Sequence, residues 1–144
     1  MPVISAYLIA AGVAWLAAQG TKFLLNQSSV GSRRVRLLYQ SGNMPSSHTA
    51  MMTALTTVVG VQDGIDSAVF AVAAVVTVII AYDAMMARRS AGEQGLALRK
   101  LIELSPFSKD PLPYQALGHK PLEVAAGGLL GIIIGLVVAI LITK

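Results

Sequence analysis

Long apolar runs constrain the fold of this chain more than any other feature of its sequence. A helix needs roughly 20 residues to cross about 30 Å of hydrocarbon, and several of the runs approach that length. Hydrophobic residues make up 55% of the 144 residues and charged residues only 12%, far from the balance of a typical soluble domain. The sequence therefore predicts an all-α integral membrane bundle of about four transmembrane helices, forming one domain over 1–144. The helices are expected at about 2–26, 46–61, 67–87 and 121–144.

Two polar segments and one short turn connect the predicted helices. The first segment is 27–44, and the turn is the acidic stretch QDGID at 62–66. The second segment, 88–119, contains three prolines that preclude a transmembrane span. Apolar residues interleaved with Arg99 and Lys100 in this segment are typical of an amphipathic helix at the level of the lipid headgroups. The apolar members are Leu96, Leu98, Leu101, Ile102 and Leu104.

The cationic residues indicate how the bundle is oriented. Of the 11 lysines and arginines, all except Lys22 and Lys144 lie in 27–44 or 88–120. Because lysine and arginine favour cytoplasmic loops, both segments are expected in the cytoplasm and both termini outside, in a multi-pass cell-membrane protein. Membrane orientation thus explains the positive charge, and no nucleic-acid partner is predicted. With 0 Cys, disulfides and thiolate metal sites are excluded.

Two helix starts should meet at the cytoplasmic face. The stretch SGNMPSSHTA, 41–50, leads into the second helix, and GHKPLE, 118–123, leads into the fourth. A helix N-terminus presents unpaired N–H groups and the positive end of the helix dipole, and this favours an anion such as phosphate. Arginines from both cytoplasmic segments lie at the same level. The sequence therefore predicts an anion site on the cytoplasmic side.

The candidate residues at these two starts each have a structural alternative. Ser46 and Ser47 are plausible N-caps and need no further function for that role. His48 is harder to explain by packing, because ionisable groups near hydrocarbon are costly and usually functional. Glu123 could simply favour the dipole of a helix that begins at Pro121. Alternatively, it could accept a hydrogen bond from His119, four residues earlier, and leave the other ring nitrogen free to attack.

Two further features concern the third and fourth helices. A carboxylate within the membrane needs a partner of opposite charge, and either Arg88 or Arg89 could pair with Asp83. Asp83 could therefore have a structural role in such a pair or take part in the site itself, and the sequence favours neither. Glycines recur every fourth residue in the fourth helix and indicate a face for close helix packing, within the chain or between two chains. These glycines, through which the chain could form a homodimer, are Gly127, Gly131 and Gly135.

Three motifs together carry a family resemblance. They are Pro45-Ser46-Ser47-His48, the pair Arg88-Arg89, and His119 with Glu123. The chain resembles the phosphatidic acid phosphatase type 2 superfamily over nearly its whole length, and in particular the divergent branch related to acid phosphatases and vanadium-dependent haloperoxidases. In that superfamily a first motif supplies a lysine and an arginine, a second reads Pro-Ser-Gly-His, and a third reads Ser-Arg followed by His-x-x-x-Asp.

The resemblance implies a role for each matching residue. His119 would be the nucleophile that forms a phosphohistidine, Glu123 would orient it, and His48 would protonate the leaving oxygen. Phosphate would be held by cations and by the start of the second helix. The implied phosphate ligands are Ser46, the Ser47 backbone, Lys22 and one of Arg88 and Arg89, with Asp83 and Arg36 as possible supporting residues. This chemistry uses histidine and fixed cations, so neither a metal nor another cofactor is implied.

The chain departs from the superfamily pattern in several places. The first motif is not recognisable as such, and Lys22 is the best candidate for its lysine and Arg36 the candidate for its arginine, while Glu123 replaces the usual aspartate. Ser47 stands where glycine is usual, and about thirty residues separate Arg88-Arg89 from His119, whereas the family keeps its arginine and nucleophile close. We predict a metal-independent phosphatase acting on a lipid phosphate or diphosphate, with a polyprenyl or phosphatidate-like tail. The main alternative is a protein that binds or moves anionic lipids with a degenerate pocket. Vanadate-dependent halide oxidation is a minor third alternative.

Overall fold

The computed structural model describes residues 5–25, 44–105, 112 and 118–142, and within these ranges all regular structure is helical. The helices, numbered in chain order, are α1 (Ala6–Leu25), α2 (Ser47–Gln62), α3 (Ala68–Met85), α4 (Ala87–Glu103) and α5 (Pro121–Ile142). The predicted all-α membrane bundle is confirmed, with helix ends close to those expected. The arginine proposed for the first motif, Arg36, lies outside the described residues.

Helix α2 is the central element of the bundle, since it packs against α1, α3 and α5. Its contact with α1 is made by small residues. Ala10, Ala14 and Ala18 recur every fourth residue on α1 and are fully buried, as are Ala50 and Ala54 on α2. Without a hydrophobic driving force between helices in lipid, close approach of backbones is what holds such helices together.

The glycine face of α5 packs against α2 within the same chain. A Cβ at Gly127 would collide with the carbonyl oxygen of Ser46, and one at Gly135 would lie 2.7 Å from Cβ of Thr57. Gly131 meets the next turn of α2 between them. Of the two roles predicted for this face, the intrachain one is thus observed. A homodimer through the same glycines has no open surface there and would need another face.

The acidic stretch 62–66 forms the predicted turn between α2 and α3. Asp63 caps the C-terminus of α2, and Gly64 has a φ of +88°, a left-handed conformation that glycine adopts without steric cost. Ser67 then caps α3 by accepting a hydrogen bond from the N–H of Phe70. At this same end of the bundle, the Tyr7 hydroxyl of α1 donates to Asp63 at 2.8 Å.

Helix α3 lies at the edge of the bundle with most of its apolar side chains exposed, as expected of a helix that faces lipid. Its one buried residue is Ala84. Midway along the helix, the hydroxyls of Thr77 and Thr56 form a hydrogen bond of 2.8 Å, and Thr77 also lies 3.3 Å from the carbonyl oxygen of Met52. Hydrogen bonds of this kind link helices within a membrane. They fix α3 against α2.

Helix α4 continues α3 after a single irregular residue, Met86. The amphipathic segment predicted around Leu96–Leu104 is therefore helical, but it begins earlier, at Ala87, and follows directly on the membrane helix. Leu98 and Leu101 are exposed on it. The position of α4 beside the start of α5 brings the distant arginine pair back to the predicted anion site.

Among the residues that the structure describes, three helices are long and apolar enough to cross a membrane: α1, the combined α3–α4 stretch Ala68–Glu103, and α5. Helix α2, with 16 residues, is about 24 Å long at helical rise, shorter than the roughly 30 Å of hydrocarbon. The predicted number of four transmembrane helices is therefore approximate. Helix α2 is the least exposed to lipid because the other helices surround it.

Candidate functional site

The start of α2 is tied to the start of α5 by the main chain. Ser46 is fully buried, and its backbone N–H donates to the carbonyl oxygen of Glu123 at 2.9 Å. Its side chain is the N-cap of α2, since Ser46 Oγ accepts from the Thr49 N–H at 3.5 Å and from Thr49 Oγ1 at 2.9 Å. Of the two predicted caps, Ser46 is the cap and Ser47 is the first helical residue. The two predicted helix starts therefore meet.

Lys22 reaches the same place from α1. Only 4% of the residue is exposed, and Nζ lies 3.4 Å from Ser47 Oγ. The carboxylate of Glu123 also acts electrostatically on this ammonium group. A lysine held inside a bundle of apolar helices is costly and usually functional. The structure thus brings the lysine proposed for the first motif to the first turn of α2.

His119 and Glu123 form the hydrogen bond that their spacing suggested. Nδ1 of His119 lies 2.8 Å from Oε2 of Glu123, and the histidine side chain is only 2% exposed. The same carboxylate oxygen accepts from the backbone N–H of Lys120 at 3.2 Å, in the first turn of α5. The two interpretations of Glu123 are therefore compatible, because the same carboxylate both stabilises the helix start and orients the imidazole. An Nδ1–H donated to Glu123 leaves Nε2 as the unprotonated nitrogen.

The backbone around His119 is packed against the junction of α3 and α4. The N–H of His119 donates to the carbonyl oxygen of Ala84 at 3.0 Å. A Cβ at Gly118 would lie 2.5 Å from the backbone nitrogen of Arg89, so only glycine permits this approach. The arginine pair and His119, about thirty residues apart in the sequence, are therefore adjacent in the structure. Sequence reasoning missed Ala84, because a backbone carbonyl gives no signal in a residue pattern.

The two arginines occupy different positions. Arg88 is half-buried, and its Nε lies 3.2 Å from Oδ2 of Asp83, which is one of the two pairings that the sequence left open. Arg89 is more exposed and pairs with Glu93, an i,i+4 partner that sequence reasoning did not single out. Its charge is consequently shared with an exposed carboxylate one turn away. Arg88 is the arginine whose charge acts on the histidine of α2.

His48 lies on the exposed side of the first turn of α2. The charged groups of Arg88 and Lys22, and the ring of His119, all act electrostatically on it. The contacts described above join Lys22 to Ser47, Ser46 to Glu123 and Glu123 to His119 where α1, α2 and α5 meet, and His48 and Arg88 interact with this group electrostatically. A cluster of cations with two imidazoles can bind an anion with several oxygens and can also accept or donate protons.

A cavity of about 470 Å³ opens beside His119, between α4 and the first turn of α5. Arg89, Glu93 and Lys120 place charges on its wall, and Leu96 adds an apolar surface. The cavity lies outside the apolar stretches of α3 and α5, at the end of the bundle where Lys22 reaches Ser47. A ligand that combines a charged group with an apolar group is the kind that such a wall can accommodate.

Fold and site together define a class: a helical membrane protein with histidines and cations gathered at one end of the bundle. The chain belongs to the divergent PAP2 family, whose model matches residues 4–134. It is also similar to the uncharacterized membrane protein YuiD of Bacillus subtilis (strain 168), with 41% identity over 117 residues, covering 72% of this chain and 74% of that protein. No solved structure matches the chain.

Proposed function

We propose that this protein is a phosphatase that hydrolyses a lipid phosphate or diphosphate through a phosphohistidine on His119. The observation that carries the proposal is the 2.8 Å hydrogen bond between His119 Nδ1 and Glu123. It would hold the imidazole in the tautomer in which Nε2 is a nucleophile, as a buried carboxylate does for catalytic histidines in general. Membership of the divergent PAP2 family supports the same reaction class.

In the first step, the Nε2 lone pair of His119 attacks phosphorus, and the bond from phosphorus to the bridging oxygen of the lipid breaks. His48, in its protonated form, gives its proton to the departing oxygen, so that an alcohol or a lipid monophosphate leaves. In the second step, water attacks the phosphohistidine, the phosphorus–nitrogen bond breaks, and the water proton passes to His48. Inorganic phosphate is released, and both histidines return to their starting forms.

The negative charge on the phosphoryl oxygens would be stabilised by groups that are already in place. Lys22 beside Ser47, Arg88 and the N–H groups at the start of α2 supply this stabilisation in the proposal. Asp83 would position Arg88, while the engaged hydroxyl of Ser46 gives that residue a supporting role. Arg89, in the cavity beside His119, would be the second candidate for phosphate.

A second function is favoured by one observation. Because the His119 ring is almost fully covered and Arg88 is paired with Asp83, the site could hold an anionic headgroup at its cationic rim without chemistry. This is the lipid-binding or lipid-transport alternative. Both functions predict binding of phosphate, and only turnover separates them.

The test is phosphate release from a panel of lipid phosphates and diphosphates by the full chain purified in detergent, without added metal. We expect release by the parent protein, none by His119→Ala, and about a 10- to 100-fold lower rate for Glu123→Gln, by analogy with the carboxylate partners that orient metal-bound histidines. Glu103→Gln is the matched control, since this exposed carboxylate lies at the far end of α4. No release from any substrate, with vanadate still bound, would favour the binding protein instead.

A further inference from the structure

The packing of α1 on α2 turns Lys22 towards the interior of the bundle. The buried residues of α1 are Ala6, Ala10, Ala14, Ala18 and Lys22. They recur every fourth residue, so the lysine continues the alanine face that packs against α2. A lysine one turn from the end of a membrane helix ordinarily extends towards water, yet only 4% of Lys22 is exposed. Its ammonium group therefore needs partners inside the bundle.

Two contacts at opposite ends of α1 fix how it lies along α2. At one end the Tyr7 hydroxyl donates to Asp63 at 2.8 Å, and at the other Nζ of Lys22 lies 3.4 Å from Oγ of Ser47. The two contacts are 15 residues apart on α1 and 16 apart on α2, so the helices are antiparallel and the contacts are separated by the same length on each. Helix packing thus places the lysine at the first turn of α2.

The acceptor for Lys22 is a side chain that the usual motif lacks. Ser47, which stands where the superfamily has glycine, is only 3% exposed, and its hydroxyl oxygen accepts from the ammonium group. The hydroxyl of Ser46 already accepts from the N–H and from the hydroxyl of Thr49, which occupies both of its lone pairs. A glycine at position 47 would therefore leave this end of α2 without a side-chain oxygen for the lysine.

The ammonium group occupies a position that favours an anion. It lies beside the N-terminus of α2, where the first N–H groups have no partner within the helix and the helix dipole is positive. Two positive groups are thus brought together in a buried place. The carboxylate of Glu123 offsets part of this charge, although one of its oxygens is already hydrogen-bonded to His119 and to the N–H of Lys120. An anion that contacts both Lys22 and the start of α2 would relieve the remaining repulsion.

We propose that Ser47 is a positioning residue for phosphate binding: its hydroxyl holds the Lys22 ammonium group beside the Ser47 N–H, so that both donate to the same anion. This inference rests on the proposed function for the presence of a phosphate at the start of α2. Ser47 acts through Lys22 and takes no part in proton transfer. The serine that departs from the superfamily motif thus adapts the site to a lysine that comes from another helix.

The test is a double-mutant cycle on vanadate binding by the full chain in detergent, measured by calorimetry and, where binding is weak, by vanadium NMR. We expect Ser47→Ala to weaken binding about tenfold, or about 1.4 kcal/mol. This is the lower end of what a hydrogen bond to a charged group contributes, since 3.4 Å is long for such a bond. In the Lys22→Met background the same substitution should change the affinity by less than about twofold, as for two sites without interaction.

Ser67→Ala is the matched control. Ser67 also stands at the start of a helix, but at the opposite end of the bundle, so its loss should lower the free energy of unfolding and leave vanadate affinity unchanged. A loss of affinity from Ser47→Ala that is equal in both backgrounds would show that the serine does not act through Lys22, and would overturn the inference. Unchanged affinity in Ser47→Ala, or a parent protein that does not bind vanadate, would overturn it as well. If the coupling is measured but no lipid phosphate is hydrolysed, the phosphatase alone is refuted.

Discussion

The contact between α5 and α2 gives a prediction in which two glycines of one helix respond oppositely to the same substitution. A Cβ at Gly131 would lie 2.8 Å from Cβ of Thr53 and 3.0 Å from the backbone nitrogen of Ala54, and closer still to the carbonyl oxygen of Ala50. At Gly128 the nearest atom, Thr53 Oγ1, would be 4.0 Å away. Gly131→Ala should therefore destabilise the bundle, whereas Gly128→Ala should not.

The magnitude follows from the same distances. Ordinary contact begins near 3.4 Å, so the helices would have to separate by about 0.6 Å at Thr53 alone, and two of the three colliding atoms belong to a helix backbone that cannot rotate away. Overpacking of this kind costs about 1–3 kcal/mol. Both substitutions gain the same helix propensity, about 1 kcal/mol, so this contribution cancels between them. The free energies of unfolding of the two variants should therefore differ by about 1–3 kcal/mol.

The assay is thermal unfolding in detergent, followed by circular dichroism, with both variants purified in parallel. The expected difference in Tm is roughly 4–12 °C, with Gly128→Ala at or above the parent protein and Gly131→Ala below it. If Gly131→Ala is as stable as Gly128→Ala, the glycine face is not packed on α2 as described. Loss of a dimer in Gly131→Ala, measured by light scattering, would show that the face is used between chains.

Three further outcomes are expected. Thr77→Val removes the hydrogen bond to Thr56 and should lower the free energy of unfolding by about 0.6 kcal/mol, and by no more than about 1.7, as measured by denaturant titration in detergent micelles; a larger loss would mean that this hydrogen bond stabilises more of the bundle than the contact between α3 and α2. Lys22→Met should weaken vanadate binding by roughly 10- to 150-fold in calorimetry, because a charge-assisted hydrogen bond contributes about 1.5–3 kcal/mol, and unchanged affinity would exclude Lys22 from the site. In this cysteine-free chain, Ile65→Cys should react with an impermeant maleimide in intact cells, and Leu104→Cys only after permeabilisation; the reverse would place the site outside the cytoplasm.

The fold was largely predictable from the sequence because each signal was local. The lengths of the apolar runs located the helices, and the acidic stretch 62–66 marked the turn between α2 and α3. The glycine spacing on α5 predicted a packing face but not its partner, since a periodic pattern in one helix contains no information about which helix it meets. The predicted amphipathic segment began at Leu96, whereas α4 begins at Ala87. The first turns of α4 are helical because they continue α3, and the amphipathic pattern does not indicate this.

The candidate site was predictable in its residue types and less so in its geometry. The four-residue spacing of His119 and Glu123 indicated their hydrogen bond, because such residues face each other when the second lies in the first turn of a helix. Nothing in the sequence indicated that Gly118 would pack on the backbone of Arg89, a contact between segments thirty residues apart. The partner of Arg89, by contrast, was available from the sequence, because Glu93 lies four residues later on the same helix.

The main-chain hydrogen bonds around the site determine how the sequence of this protein can change in evolution. The N–H of Ser46 is bound to the carbonyl oxygen of Glu123, and the N–H of His119 to that of Ala84, so the framework of the site is held by atoms that every amino acid other than proline possesses. Replacement of the imidazole or carboxylate side chains leaves these bonds in place. The side chains to which the proposed function assigns the chemistry can accordingly change while the main-chain framework of the site is kept.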